Sequence, residues 1–586
     1  MRHSLAGLQR KAVRPTGLAG IVQFGSGVAL MLGFGLMFST GFAAEPLSGG
    51  AAVDQIRRPG QTELPPPEFE EQKPVPELVL PPVQPDQPID RAGPQLRVFV
   101  NRFVLTGNTV FTDEELATLT APFEGRVITS DELLEARDRI TLHYIQNGYI
   151  NSGALVPDQQ VVNGNIELLI VEGELTSLMI AGNDDLRVDY IGDRIRLGSG
   201  PPLNVNSLQE RLQILQENPL IERINATLSP GTRPGESELS VDVVEGRPYQ
   251  LRLIADNRRP PSVGAEQVTL AGEHLNLTGR GDLLRGSVSL TEGLEDYYAE
   301  YRIPVTARDT ELGVYYEQTN SEVIEDPFDD LDIKSDSKTL GLLLRHPVYR
   351  KPGEEIGIGL VFERKWSETE LLGEKFSFAE GVDNGESDVS ALRLTQDWLK
   401  RTRDRVLAAR SMFSFGLNIF GATDNDSKPD GEFFAWLGQF QWAERLGGNV
   451  EMILRADAQL TPDPLLPMEK FVVGGADTVR GYRENQLVRD NGLVGSLEFR
   501  IPILEKYTGE ARFRLAPFAD YGRSWNEDYT PKHKTISSAG VGLLFDYKRL
   551  IARVYWAHAF DDIDNGDVEH DLQDDGVGFS LSYSVF

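Results

Sequence analysis

The chain has 586 residues, 7 histidines, no cysteine and a formal net charge of −31. That length implies several domains, and the acidic balance argues against nucleic acid as a partner, because a phosphate backbone needs a basic face. Without disulfides, a chain that folds outside the cytosol must be held by other means, of which barrel closure is one.

The N-terminus reads as an export signal. Arg2, Arg10, Lys11 and Arg14 form a basic region, Val28 to Phe38 an apolar core, and Gly41-Phe42-Ala43-Ala44 a small-residue site before Glu45-Pro46. Residues 1–44 are therefore expected to be a signal peptide cleaved after Ala43 or Ala44. No later stretch offers about 18 uninterrupted apolar residues, so a mature chain that spans a membrane must do so as a closed barrel.

Residues 45–95 are proline-rich, as in Leu64-Pro65-Pro66-Pro67 and Pro81-Pro82-Val83-Gln84-Pro85. This composition predicts an extended periplasmic linker. Ala51 to Arg57 has room for two helical turns, although plain disorder is the better reading there.

Residues 96–174 read as a small α+β domain. A strand through Val98, Val100, Phe103 and Leu105 stops at Gly107-Asn108. A helix starts at Thr112-Asp113-Glu114-Glu115, with acids in its first turn. A second helix, Asp131 to Asn147, is expected to bury Leu133, Leu134, Ile140, Leu142 and Ile145 before Gly148 ends it. Strands at 154–157 and 165–171 close on Glu172-Gly173. Residues 175–248 repeat the order: a strand to Ala181, Gly182-Asn183, helices over 186–197 and 205–216, strands over 224–229 and 238–244, then Glu245-Gly246. The period is roughly 75 residues, in too few copies for a solenoid.

From Tyr249 alternating strands are separated by connections that are alternately short and long. Short turns are expected near 278–281, 305–308, 349–353, 401–404, 444–448, 504–508 and 547–549. Long loops are expected near 321–335, 368–387, 421–430, 460–491, 523–535 and 561–575. Tight periplasmic turns and long outer loops are the habit of outer-membrane barrels. In Val450 to Leu460, the residues Val450, Met452, Leu454, Ala456, Ala458 and Leu460 share a face opposite Glu451, Arg455, Asp457 and Gln459. Leu407, Phe413, Phe415, Leu417 and Ile419 share another. Phe579, Leu581, Tyr583 and Val585 alternate with serines. A soluble sandwich alternates in the same way with its apolar side inward. The loop asymmetry, the export signal and the terminal Phe586 favour a barrel of about sixteen strands over 249–586.

Val479-Arg480-Gly481-Tyr482 lies in the long loop 460–491 after a glycine-rich approach, Val473-Gly474-Gly475. An arginine between two bulky residues, Val479 and Tyr482, and followed directly by glycine suits a confined space where carboxylates hold the guanidinium. On Arg512 to Tyr521, Phe513, Leu515, Pro517 and Ala519 take the lipid phase, which turns Arg512, Arg514, Phe518 and Asp520 to the lumen. On Leu493 to Ile501 the lumen phase holds Ser496, Glu498 and Arg500. Asp520 and Glu498 are thus two lumen carboxylates available to one arginine. Arg280-Gly281-Asp282 reads as an ordinary periplasmic turn, and the acidic runs Asp326 to Asp332 and Asp561 to Asp567 as solvated outer loops. No histidine falls in a metal-ligand spacing, no Ser/His/Asp or paired-acid motif supports an enzyme, and no cofactor or metal is expected.

Two tandem Gly-Asn…Glu-Gly repeats, a barrel, Val479-Arg480-Gly481-Tyr482, Phe518-Ala519-Asp520, Ala154-Leu155-Val156-Pro157-Asp158-Gln159, Arg345-His346-Pro347 and Gly495-Ser496-Leu497-Glu498-Phe499-Arg500 together resemble the two-partner secretion transporters. These are the haemolysin and filamentous-haemagglutinin secretion/activation proteins of the outer-membrane assembly superfamily. The resemblance implies that 96–174 and 175–248 are polypeptide-transport-associated (POTRA) domains in the periplasm, and that the loop folds back into the barrel so that Arg480 pairs with Asp520. Phe586 resembles the signal read by the barrel-assembly machinery, although it is out of phase with Phe579 to Val585.

The function so implied is an outer-membrane transporter that captures an unfolded partner exoprotein and conducts it to the cell surface. The alternative is an insertion or assembly factor of the same superfamily, whose barrel opens laterally. The expected partners are the exoprotein, the barrel-assembly machinery during biogenesis and outer-membrane lipid, with no nucleic acid, and the chain is expected to be a monomer.

Overall fold

The computed structural model describes Leu64, Phe69 and residues 76–80, 97–427, 429–504, 510–566 and 568–586. The expected signal peptide, its cleavage site, the helical reading of 51–57 and most of the proline-rich linker lie outside the described residues. Two described parts of that linker touch the folded chain. Strand β1 (Glu77–Val79) pairs in parallel with β8 (Ile221–Pro230). Phe69 packs on Val406, Ala443 and Ile453, with the Arg445 guanidinium 4.3 Å above its ring.

The first α+β unit holds β2 (Arg97–Val100), β3 (Arg102–Thr106), α1 (Asp113–Thr120), β4 (Arg126–Thr129), α2 (Ser130–Gln146), β5 (Gly153–Leu155) and β6 (Asn165–Val171). What reads in the sequence as one strand through Val98 and Leu105 is two: β2 pairs with β4, while β3 joins a sheet of order β3-β6-β5. Thr112 caps α1, and Thr129 with Glu132 forms a capping box at α2, supplying acceptors to N–H groups that the helix cannot satisfy itself. The buried face of α2 includes the expected Ile140, with Leu133 packed on the same core, but not the expected Leu142. Ala136, Ile140 and Tyr144 point inward, four residues apart, and Leu142 is exposed. Tyr144 takes the inward place because its ring packs edge-on against Phe111 and Tyr149 and its hydroxyl reaches Glu172 at 2.8 Å.

The second unit repeats the plan with β7 (Glu174–Ala181), α3 (Val188–Arg196), α4 (Val205–Gln216), β8 and β9 (Glu236–Glu245). Its sheet has the order β1-β8-β9-β7 and packs on Ile191, Ile195, Leu208 and Leu212 of the helices. The repeated Gly-Asn and Glu-Gly pairs now have a physical meaning. Gly107 and Gly182 have φ of +90° and +78°, and a Cβ at either would run into a strand carbonyl, of Ile170 and Val243 respectively. These turns therefore need glycine. Asn108 and Asn183 then donate from Nδ2 to the carbonyls of Phe111 and Leu186, at 2.9 Å in each case. Glu172 accepts from the N–H groups of Thr109 (2.7 Å) and Val110 (2.9 Å), and Glu245 from those of Asp185 (3.0 Å) and Leu186 (2.9 Å). Each glutamate closes the turn of its own unit.

From Tyr249 sixteen antiparallel strands close a barrel. They begin with β10 (Tyr249–Asp256), β11 (Gln267–His274), β12 (Leu283–Leu290), β13 (Leu294–Pro304), β14 (Glu311–Glu322), β15 (Lys334–Lys351) and β16 (Glu354–Leu371). A two-residue strand, β17 (Glu374–Lys375), belongs to the loop beyond β16. The wall continues with β18 (Glu386–Arg401), β19 (Arg405–Gly416), β20 (Phe434–Arg445) and β21 (Glu451–Leu460). Strands β22 (Phe471–Val473) and β23 (Leu487–Arg489) pair with each other inside the next loop. Then β24 (Asn491–Ile503), β25 (Arg512–Trp525), β26 (Thr535–Tyr547), β27 (Leu550–Ala559) and β28 (Val577–Ser584) complete the wall. Because β19 ends at Gly416, Leu417 and Ile419 lie beyond the ladder on which the sequence pattern places them. The seam is antiparallel, from Arg252 opposite Ser584 to Asp256 opposite Ser580, five residue pairs. By contrast β15 and β16 are 18 residues each.

Alternation puts lumen residues such as Gln439, Gln441, Ile453 and Gln459 under cover and turns Leu460, Leu515, Leu581 and Tyr583 outward, the phase of a lipid-facing wall. The short turns face the second α+β unit. Gly353 N–H donates to Glu217 (2.7 Å), and Arg194 pairs with Asp309 while lying 3.6 Å from the Tyr190 ring. Arg280-Gly281-Asp282 belongs to this end: Asp282 is sealed, accepting from Thr278 N–H and the Tyr301 hydroxyl. The last residue leaves the ladder, since β28 stops at Ser584 and Phe586 sits edge-on to Tyr249 at 5.6 Å. Among the described residues no helix is long and apolar enough to cross a membrane, which says nothing of the strands.

Candidate functional site

The loop between β21 and β24 enters the lumen rather than covering it from outside. Its sequence allows this. Gly474 and Gly475 take φ of +113° and +106°, values that L side chains rarely adopt, and the turn they form brings β22 back against β23. The apolar residues of the turn bury together: Val473, Val479, Tyr482 and Leu487 pack on Leu437, Val494 and Ile536 of the wall. A loop carrying such a cluster has no favourable place in water.

The cluster presents Arg480 to β24 and β25. Its backbone N–H (3.1 Å), Nε (2.7 Å) and Nη2 (2.9 Å) all donate to the Asp520 carboxylate. Nη1 donates to Glu498 at 2.6 Å and Nη2 to the Ser496 hydroxyl at 3.1 Å. Ser496 donates in turn to Asp520, and Arg500 to the other Glu498 oxygen, at 2.7 and 2.8 Å. The Phe518 ring lies 3.5 Å from the guanidinium carbon, close enough for a cation–π contact. The register explains the set, because Ser496 stands opposite Asp520 and Glu498 opposite Phe518. The Asp520 side chain is 0% exposed. Bidentate, charge-assisted bonds of this kind fix direction as well as position.

The neighbours of Arg480 hold it there. Val479 is fully buried. Gly481 has φ of +92°, and a Cβ would stand 2.9 Å from the Ala557 methyl. Tyr482 donates its hydroxyl to the Ser537 carbonyl (2.9 Å) and accepts from Asp561 N–H (3.0 Å). Thus Val479, Arg480, Gly481, Tyr482, Glu498, Phe518 and Asp520 form one contiguous arrangement, while Phe586 lies elsewhere, at the end of the ladder.

Two further residues of the loop make contacts that the sequence pattern does not announce. Arg483 donates to both Asp574 oxygens, at 2.6 Å each, and to Glu325 at 2.6 Å, so it ties the loop to two outer loops that read as merely solvated. Asp567, part of the second acidic run, lies outside the described residues. Glu469 is buried against Arg393 and Lys365. The available signals were faint: an arginine directly after the motif, and a lone acid between Leu465-Leu466-Pro467-Met468 and Phe471-Val472-Val473.

Known proteins share this arrangement of domains. The profile of haemolysin secretion/activation proteins ShlB/FhaC/HecB matches residues 235–545, more than half of the chain, and a ShlB-type POTRA domain matches 98–173. The outer membrane transporter CdiB of Escherichia coli O6:K15:H31 is 24% identical over 416 residues, which covers 67% of each chain. The heme/hemopexin transporter protein HuxB of Haemophilus influenzae Rd is 19% identical over 426 residues, covering 71% of this chain and 74% of its own. The solved structure of Escherichia coli CdiB superimposes with a TM-score of 0.64 at 19% identity, over 86% of this chain and 93% of the other.

Proposed function

The chain belongs to the haemolysin secretion/activation family ShlB/FhaC/HecB, outer-membrane transporters of two-partner secretion with periplasmic POTRA domains, and from this we propose that it captures an unfolded partner exoprotein in the periplasm and passes it through the barrel to the cell surface. The observation that carries the reading is the loop itself. A lumen occupied by a segment fixed through Arg480 is a closed conduit, and its contacts are non-covalent and therefore releasable. Capture uses a sheet edge. The edge strand β8 already accepts an extended segment, Glu77–Val79, in parallel register.

In this reading residues 1–44 direct export and are removed, and 45–95 form the periplasmic leader. Residues 96–174 and 175–248 are the two capture domains, and 249–586 the conduit. Arg480, Asp520 and Glu498 lock the loop, with Phe518 as the platform under the guanidinium. Phe586 is read by the barrel-assembly machinery during insertion, and the mature chain works as a monomer without catalysis. The test is deletion of 96–174, assayed by partner protein in the medium. Secretion should be lost while the barrel stays in the outer membrane; undiminished secretion removes the capture role of this domain.

A further inference from the structure

The loop that carries Arg480 has a second ionic foothold, on its first limb. Glu469 follows Pro467-Met468, is 1% exposed, and receives two bonds from Nη2 of Arg393, at 2.8 and 2.9 Å. Lys365 Nζ is 3.1 Å from the same carboxylate. These cations sit on lumen faces of β18 and β16, and their side chains are 3% and 4% exposed. Glu363 of β16 also belongs to the cluster, 2.5 Å from Arg393 Nε. The wall thus supplies both cations of this cluster, and the loop supplies the Glu469 carboxylate that both of them meet.

The backbone is tied as well, since Gln459 Nε2 donates to the Glu469 carbonyl at 2.9 Å. On the apolar side Leu465, Leu466 and Met468 pack against Val389 and Ala391 of β18 and Phe433 and Ala435 near β20. A carboxylate in so sealed a place is stable only while its cations are present. If the limb departs, Arg393 keeps Glu363 but both wall cations lose the Glu469 carboxylate.

The two footholds stand on different parts of the wall. Glu469 meets β16 and β18, Arg480 meets β24 and β25, and β19, β20 and β21 lie between. A loop held at both must run across the lumen in front of those three strands. We infer that Glu469 is a second, independent anchor of the inserted loop, a positioning residue that pins its first limb across the lumen while Arg480 pins the tip. This rests on the reading of the loop as the closure of the conduit.

The chain has no cysteine, so single thiols report cleanly. Met468→Cys, at a residue now fully buried, is placed in the full-length protein in outer membranes and exposed to a membrane-impermeant maleimide. Labelling should be slow in that background and rise about tenfold or more when Glu469→Gln is added, as expected of a shifted docking equilibrium. Glu469→Asp, still anionic, should restore part of the protection. Arg393→Gln with Glu469→Gln removes one charge of each sign, leaves Lys365 and Glu363 on the same face of β16, and should also expose the thiol. Mobility on unboiled gels verifies that each barrel is folded, and Leu465→Cys is a second buried reporter should Met468→Cys perturb the loop.

Equal protection with and without Glu469 overturns the proposal. So does exposure of Met468→Cys by Arg480→Ala as strong as that by Glu469→Gln, since the anchors are then one unit. A tip reporter, Val479→Cys, separates the two readings. If Arg480→Ala leaves it protected while Glu469→Gln still exposes Met468→Cys, the Arg480 lock fails and the Glu469 anchor stands.

Discussion

Arg480→Ala and Asp520→Ala should both impair secretion, and the arginine change should be the more damaging. Removing Asp520 deletes three of the five bonds that Arg480 donates, but Glu498 stays 2.6 Å from Nη1 and the Phe518 face stays in place. The guanidinium is therefore not orphaned, and the loss from loop docking should be about 2–3 kcal/mol, the scale of hydrogen bonds to a charged group. Removing the Arg480 side chain instead leaves a fully covered Asp520 carboxylate that keeps the Ser496 hydroxyl and the residue-480 backbone N–H but no cation, while Glu498 retains Arg500. A buried pair broken from one side costs about 3–5 kcal/mol. At 1.4 kcal/mol per factor of ten, that shifts the ratio of docked to released loop by roughly two to three and a half orders of magnitude. The double alanine variant removes both charges and should cost little more than Arg480→Ala alone, so the single losses should exceed the double by about 2 kcal/mol. Partner protein in the medium, normalised to folded barrel on unboiled gels, measures all four proteins. The exchanged pair, Arg480→Asp with Asp520→Arg, should recover part of the activity. Single variants that secrete at the wild-type level, losses that simply add, or a reversed order of severity would each refute the lock.

The mature chain should run as a heat-modifiable band from the outer-membrane fraction, because a closed ladder resists detergent until boiled; recovery from the soluble periplasm contradicts the barrel. Glu172 should make the first α+β unit sensitive to acid. Burial opposes ionisation of this carboxyl, but hydrogen bonds from Thr109, Val110 and Tyr144 outweigh it and hold the group below its ordinary value. A depressed carboxyl adds stability above its unfolded value, about 4.3, and that stability is lost as pH falls through the folded value. Glu172→Gln should cost about 1–2 kcal/mol near neutral pH and flatten the acid limb, read by amide-exchange protection of residues 97–171; an unchanged acid limb counts against the turn-closing role.

Period-two alternation was legible wherever a strand has one lipid face, because the bilayer punishes a polar residue there. That is why the ladder positions of Ser496, Glu498, Phe518 and Asp520 could be read from β24 and β25 alone. Register could not, since it depends on which residue a neighbouring strand presents, and it is register that sets Ser496 opposite Asp520. On α2 the pattern found Ile140 but misplaced Leu142, because leucine is the more apolar residue whereas Tyr144 has a partner for its hydroxyl and two rings to pack on. Strand β1 is three residues among prolines, with no local pattern to mark it; its pairing comes wholly from the β8 edge. Glu469 and Arg483 meet their partners across 76 or more residues of chain, a distance over which no local signal survives.

The unequal strand lengths have a consequence for the lipid. Strands β15 and β16 have 18 residues and β10, β11 and β28 only 8. At about 3.3 Å per residue and a tilt near 40°, an 8-residue strand climbs roughly 20 Å along the membrane normal, less than the ~25 Å apolar band of such barrels. An 18-residue strand climbs roughly 45 Å on the same geometry. The bilayer beside β10 and β28 must therefore thin by about 5 Å or expose acyl chain to polar surface, whereas beside β15 and β16 it meets surplus wall and keeps its thickness. The protein is an asymmetric wedge for its surrounding lipid, and the strained annulus lies against the five-pair seam, where the ladder has the fewest bonds to resist it.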